Sequence, residues 1–365
     1  MKFYKIKNIF LSNILLLISF LSLIELIFGK WFLFNTPVTK VPAAPFARKI
    51  KRDVSKLYGL NKRHLISNIR DKRGYRKLQN YMKKPVILTI GGSTTAQTAV
   101  DENFTWQSAL SKKLNKKFSV VNGGVSGQSA FGHLHSLENW HSKSFSKDNV
   151  KYIIYYFGVN DTKIYKSVPS YNEYESDAYA NDRYWKIKSQ LIRYSFFYTK
   201  LQEIRDIYFS DEVDSTNIFG YHSNSKRFGD INKKIEINGV NFDDHIEYIN
   251  LLKKLSAKTK ILFPTSEVFW VQQSIPGCRF ENPRLVSDIH LLKSNICIDL
   301  AKVYLLQDYA LSGKDSNLKK NIIKMYLDNP ITTAGVFDSM HTNEIGSEEI
   351  GNYLYDNIFK NLDLK

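Results

Sequence analysis

Ser93 stands at the end of a short apolar run, Val86-Ile87-Leu88-Thr89-Ile90, behind the glycine pair Gly91-Gly92. The β-branched residues read as a buried strand and the glycines as a tight turn at its carboxyl end. A serine lifted to that edge is a candidate nucleophile, but at neutral pH it needs a base. His341 is the candidate base. Asp338, separated from it only by Ser339 and Met340, is the candidate to orient and stabilise the imidazole. Acyl transfer also needs donors for a developing oxyanion. The backbone N–H of Ser93, that of Gly127 in Gly123-Gly124-Val125-Ser126-Gly127, and the side-chain amide of Asn160 in Gly158-Val159-Asn160-Asp161 are the candidates. Taken singly, Gly127 reads as a turn glycine and Asn160 as a cap over Asp161. In this order, with a base downstream, the set reads as serine-dependent ester chemistry.

The elements that position these residues alternate. A strand at 86–90 precedes a helix over Phe104–Lys116. A strand over Phe118–Asn122 leads through the Gly127 turn into a helix over about 130–143, and Tyr152–Phe157 is a third strand ending at Asn160. Strands alternating with helices imply a parallel sheet with helices on both faces, its chemistry at the carboxyl edge. The rhythm breaks at 162–240, an insertion rich in Tyr, Asn, Ser and charge, with a helix expected over Tyr184–Asp206. A lid, a substrate platform and plain surface elaboration all fit it. The alternation resumes with a helix over Phe242–Lys258, strands at Lys260–Pro264 and Ile296–Leu300, and a terminal helix to about Phe359, capped by Thr342 or Asn343.

Ahead of this domain, residues 1–8 form a short basic tail, and 9–29 an apolar segment long enough for one bilayer core. Glu25 lies near its end, and Trp31, Phe32 and Phe34 occupy the place of an interfacial aromatic belt. No small-x-small cleavage site follows directly, so the segment reads as an uncleaved, single-pass anchor. A short basic head before a lone apolar helix resembles an export signal. It places the large domain outside the cytoplasm, in a bacterial periplasm or at the cell surface. Residues 30–84 form a basic connector carrying Arg70, Lys72, Arg73, Arg76 and Lys77, suited to lipid headgroups, to an anionic glycan, or simply to water.

The chain has 365 residues, 43% of them hydrophobic, and a formal net charge of +17. Its lysines are spread out and no nucleic-acid-binding signature appears, which argues against a nucleic-acid partner. His133, His135 and His141 do not converge on one ion, since residues two apart on a helix point about 200° apart, so no metal or cofactor is expected. The two cysteines, Cys278 and Cys297, are open to pairing in an oxidising compartment or to remaining as buried thiols.

The four blocks, Gly-Gly-Ser, Val-Ser-Gly, Gly-x-Asn-Asp and Asp-x-x-His, resemble the SGNH/GDSL hydrolase superfamily over about residues 85–162 and 335–360. The resemblance implies a three-layer α/β/α flavodoxin-like fold, here over residues 85–362. It implies Ser93, Asp338 and His341 as the catalytic triad, with Ser93, Gly127 and Asn160 as the oxyanion hole. Gly92 departs from the pattern, standing where many members have Asp. A Gly-Gly-Ser-Thr-Thr version looks like a membrane-anchored bacterial subgroup. The expected activity is an esterase that removes an O-acyl, chiefly O-acetyl, group from a surface or envelope glycan. An O-acyltransferase using the same triad, a lipid esterase and a non-catalytic glycan-binding scaffold are the rivals.

Overall fold

The computed structural model describes residues 2–29, 31, 48–71, 73–76, 84–168, 191, 194–204, 212–214, 233–236, 240–276, 278–282, 285–288, 295–312, 321–337 and 340–362. In chain order the elements used below are α1 (Lys2–Phe28), β1 (Arg48–Asp53), β2 (Leu65–Arg70), β3 (Val86–Gly91), the one-turn α2 (Ser93–Ala96), α3 (Trp106–Lys113), β4 (Ser119–Asn122), α4 (Ala130–Ser136) and β5 (Val150–Phe157). There follow α5 (Phe196–Ile204), β6 (Glu212–Asp214), β7 (Lys233–Glu236), α6 (Ile246–Leu262), β8 (Glu267–Gln272), β9 (Arg279–Asn282), β10 (Leu285–Asp288), α7 (Asn295–Ser312), β11 (Ile322–Ile323), α8 (Met325–Asp328) and α9 (Glu344–Leu354). They fall into two compact units. One comprises 1–38 with 169–209, and holds α1 and α5; the other comprises 39–168 with 210–365.

The larger unit is built on a five-stranded sheet in the order β11-β8-β5-β3-β4, with every neighbouring pair parallel. Counted along the chain this is the 2-1-3-4-5 order of a flavodoxin-like doubly wound sheet, whose ligand crevice opens where strands one and three diverge. Those two strands are β3 and β5. All six residues of β3 are buried, as a strand covered on both faces must be. On one face Ile87, Ile154, Tyr156 and Val271 pack against Trp106 and Leu110 of α3 and Ile350 and Leu354 of α9. On the other, Tyr155 stacks on Trp270 and bonds Thr259 of α6. The antiparallel hairpin β1–β2 is extended by β6, which pairs in parallel with β1. A third small sheet, β7-β10-β9, is antiparallel.

Two expected strands are helix instead. Lys260–Leu262 completes α6, whose buried positions, Tyr248, Ile249, Leu252, Leu255 and Thr259, follow the helical period while Ile261 is exposed. The strand lies further on, at Glu267–Gln272. Ile296–Leu300 belongs to α7, where Cys297, Leu300, Ala301 and Tyr304 face inward. Short apolar runs do not separate strand from helix, and here tertiary packing chose helix. Cys278 and Cys297 form a disulfide. Most of the 162–240 insertion lies outside the described residues, as do Phe32 and Phe34; within the helix expected over Tyr184–Asp206 the described residues include α5 at Phe196–Ile204, with Ser195 outside it.

Candidate active site

The strand–turn–helix at Ser93 is held from several directions. Gly92 precedes α2 and Gln97 ends it in a left-handed conformation, with φ 44° and ψ 47°. A one-turn helix leaves most of its carbonyls without intrahelical donors, and buried side chains supply them. The Thr95 carbonyl accepts from Asn122 Nδ2 at 2.8 Å and Gln107 Nε2 at 3.1 Å. The Ala96 carbonyl accepts from Arg76 at 2.6 Å, and Arg76 also donates to the carbonyls of Gln97 and Val100. Arg76 is 1% exposed and pairs with Glu102 at 2.9 Å. This residue of the basic connector therefore faces neither lipid nor glycan; it lies beneath the serine turn, where unsatisfied carbonyls attract a cation.

His341 arrives on a tight loop. Val336 bridges Thr342, and the Phe337 N–H donates to the His341 carbonyl at 2.8 Å. Asn343 caps α9, accepting from the N–H groups of Ile345 at 2.9 Å and Gly346 at 3.2 Å. The loop brings His341 Nε2 to 2.8 Å from Ser93 Oγ. His341 is 9% exposed and Ser93 is half-buried. Asp338 lies outside the described residues.

Gln97 links the two sides. Its Nε2 donates to Thr342 Oγ1 at 2.8 Å and Ser347 Oγ at 2.5 Å, while its Oε1 accepts from the Trp106 N–H at 2.8 Å. One buried amide thus ties the end of the serine helix to the residue after His341.

The remaining candidates meet at the divergence of β3 and β5. Asn160 Nδ2 donates one hydrogen to the Gln128 carbonyl at 2.8 Å, and an amide carries two. A Cβ added to Gly92 would lie 2.3 Å from that nitrogen. The space over Gly92 is therefore filled by Asn160, and any larger residue at 92 must displace that amide. Gly127 has φ +80°, a turn geometry that favours glycine. Ser93 opens α2, so its N–H has no intrahelical acceptor. Beneath Asn160, Asp161 is buried and accepts from the Ala130 N–H at 2.7 Å, Tyr248 Oη at 2.7 Å and Gln307 Nε2 at 3.2 Å. Burial pushes its carboxyl up to about 6 despite these donors. Gln273 closes the ring, donating to Thr94 Oγ1 at 2.6 Å and accepting from the Val159 N–H at 3.3 Å.

His133 and His141 are fully buried, with Nδ1 of each near Gln128 Oε1 (3.2 Å) and Tyr75 Oη (2.8 Å) respectively. Burial lowers both imidazoles to about 3. Among the described residues no group of three metal-ligating side chains gathers. Gln97, Arg76, Asp161 and Gln273 were not visible as site residues in the sequence, because each acts through partners from distant segments. Only the Asp that directly follows Asn160 offered a local signal.

Residues 87–210 match the family model described as GDSL-like Lipase/Acylhydrolase. Among solved structures, the chain is similar to a lipolytic G-D-S-L family member from Veillonella parvula, at 15% identity and a TM-score of 0.40, covering 76% of this chain and 99% of that one. It is similar to Est24, a carbohydrate acetylesterase from Sinorhizobium meliloti, at 11% identity and a TM-score of 0.40, covering 76% and 100%. For the psychrotrophic esterase EstA from Pseudoalteromonas sp., the values are 12%, 0.39, 76% and 98%. No curated protein matches the chain.

Proposed function

We propose that the chain is an SGNH/GDSL-type serine hydrolase that removes an O-acyl group, acetyl foremost, from a glycan of the cell surface or envelope, a reading supported by the match of residues 87–210 to the GDSL-like Lipase/Acylhydrolase family model. The contact that carries this reading is the 2.8 Å approach of His341 Nε2 to Ser93 Oγ. Ser93 Oγ attacks the ester carbonyl while His341 takes its proton. The backbone N–H groups of Ser93 and Gly127 and the Asn160 amide receive the oxyanion. Collapse breaks the bond to the sugar oxygen, which takes the proton from His341 and leaves as a hydroxyl, with acyl-Ser93 remaining. Water, deprotonated by the same imidazole, then releases the acid. Asp338 is assigned to hold His341 Nδ1 on the strength of its spacing.

Beside Ser93, Gln97, Ala99, Val100, Phe337 and Thr342 wall a narrow pocket of about 10 Å³, a size that favours the smallest acyl groups over long chains. The net charge of +17 and the tyrosine-rich insertion suit a glycan. The 19-residue apolar stretch Phe10–Phe28 serves as the anchor, and the Cys278–Cys297 disulfide suits an oxidising, extracytoplasmic compartment.

A fluorophosphonate probe tests the chemistry. It labels the wild type and fails to label Ser93→Ala; a folded wild type that takes no label overturns the serine mechanism. Free acetate released from an O-acetylated polysaccharide marks hydrolysis, whereas acetate moved to an added glycan acceptor marks the transferase.

A further inference from the structure

In the smaller unit, the only charged residue of the Phe10–Phe28 stretch is Glu25. A carboxylate near the end of a membrane-length helix is costly unless its oxygens are satisfied. Here three N–H groups satisfy it. The Trp31 indole donates to Oε1 at 2.8 Å, the Phe196 backbone N–H to Oε1 at 2.9 Å, and the Phe197 N–H to Oε2 at 3.0 Å. Phe196 and Phe197 open α5, whose N-cap Ser195 accepts from the Tyr198 N–H at 3.1 Å. A negative charge at a helix N-terminus is favourable for the aligned peptide dipoles as well as for the unpaired donors. Around this clasp Phe28 packs on Phe196 with ring centroids 5.4 Å apart, and Trp31 stacks on Tyr194 at 5.7 Å. The insertion thus returns, some 170 residues later, to the last turn of the apolar helix.

Beyond the clasp, Phe197, Leu201 and Ile204 recur at i, i+4 and i+7, so they share one face of α5. Leu201 is 65% and Ile204 45% exposed. From Phe10 to Leu23 the apolar helix is likewise exposed. Two exposed apolar surfaces are joined at a point rich in Trp and Tyr, the residues that favour the headgroup level of a bilayer.

From this continuity we infer that α5 is a membrane-surface helix: Glu25 clamps its N-terminus to the exit of the anchor, and Leu201 and Ile204 dip into the lipid interface. Two consequences follow. The apolar helix is retained, because Glu25, Phe28 and Trp31 are parts of a tertiary structure. The insertion supplies a second membrane contact. The inference rests on reading α1 as an anchor, and its test separates the two.

Full-length protein is placed in vesicles of phosphatidylethanolamine and phosphatidylglycerol, with a nitroxide at Leu201→Cys, Ile204→Cys or, as a water-exposed reference on α6, Lys254→Cys. The native cysteines are paired and do not compete. The ratio of collisions with oxygen to collisions with a water-soluble nickel chelate is expected to be severalfold higher at 201 and 204 than at 254, and Glu25→Ala should return it to the reference value. Equal ratios at all three sites in the otherwise unaltered protein, or ratios at 201 and 204 that ignore Glu25→Ala, overturn the surface helix and leave the anchor standing. An intact mass from native membranes showing that the mature chain begins beyond Trp31 overturns the anchor itself, and α5's clamp with it.

Discussion

Ser93 and His341, the proposed nucleophile and base, meet at 2.8 Å, yet the two sides of that contact are built differently. Ser93 follows a fully buried central strand, and the carbonyls of its helix are taken up by Arg76, Asn122 and Gln107. His341 sits on a loop stitched to itself by the Val336–Thr342 bridge and joined to the serine side through the Gln97–Thr342 bond. The serine side is thus part of the fold, with its supports shared by the sheet. The histidine side is a loop outside the sheet, tied to the serine side through Gln97. Damage to the first should appear as lost stability, and damage to the second as lost turnover from a well-folded protein.

The largest separation is expected at the base itself. His341→Ala should lower kcat on p-nitrophenyl acetate by about 10⁴- to 10⁶-fold, the range for disabling a triad's proton transfer, with the thermal melt unmoved. A melt that drops in step with kcat would mean that the histidine loop is structural and that the contrast is false. Arg76→Met is the converse. It strands Glu102 among buried neighbours and removes the donors to three carbonyls, so it should cost about 3–5 kcal/mol in denaturant unfolding. Adding Glu102→Gln should restore part of that loss, because the stranded charge is gone. If Arg76→Met leaves stability intact, the serine turn stands on the sheet alone.

This contrast also explains what the sequence revealed. Ser93, Gly127, Asn160 and His341 were legible because each lies at a strand end or just before a helix and is chemically conspicuous by itself. Arg76 and Gln97 were not, since their meaning depends on partners across 20 to 250 positions of chain. The parallel alternation through Phe157 was legible from buried apolar strands. β8 was hidden because its ends, Glu267 and Gln272, are polar; Gln272 is buried and spends its amide on the Tyr304 carbonyl at 3.0 Å. The more apolar Lys260–Pro264 therefore took its place in the reading.

Gln97 tests the link between the sides with a smaller effect. Gln97→Leu fills the site but removes the donors to Thr342 and Ser347 and the acceptor for the Trp106 N–H. A misplacement of the base on the order of an ångström costs up to about 10²-fold in rate. The expected outcome is a fall in kcat of about 10- to 100-fold with KM unchanged, and slower fluorophosphonate labelling of Ser93. An altered KM with kcat preserved would confine Gln97 to its place in the pocket wall and remove it as a link between the two sides.

The smallest effect concerns acid, and it falls on the serine side, where the buried titratable groups lie. His133 and His141 titrate near 3 in the folded chain against 6.5 when exposed, so between those limits the unfolded state holds two more protons. The stability they contribute is present above 6.5 and is lost as the pH falls. Asp161 runs the other way. Its folded value of about 6 exceeds 3.8, so the folded state holds one more proton in that window and the cost of its buried charge is relieved on acidification. From pH 6 to pH 4 these three groups leave a net difference of one proton, a loss of about 1.4 kcal/mol per pH unit. Removing one histidine with His133→Gln should flatten their share of the slope to about zero, and Asp161→Asn should double it to about 2.7 kcal/mol per unit. Urea midpoints from pH 4 to 6 for the three proteins measure this, with the other carboxylates as a common background. Slopes that do not separate in that order would show that the groups beneath Gly127 and Asn160 do not govern the acid response, and that the serine side is held by its amides and by Arg76 instead.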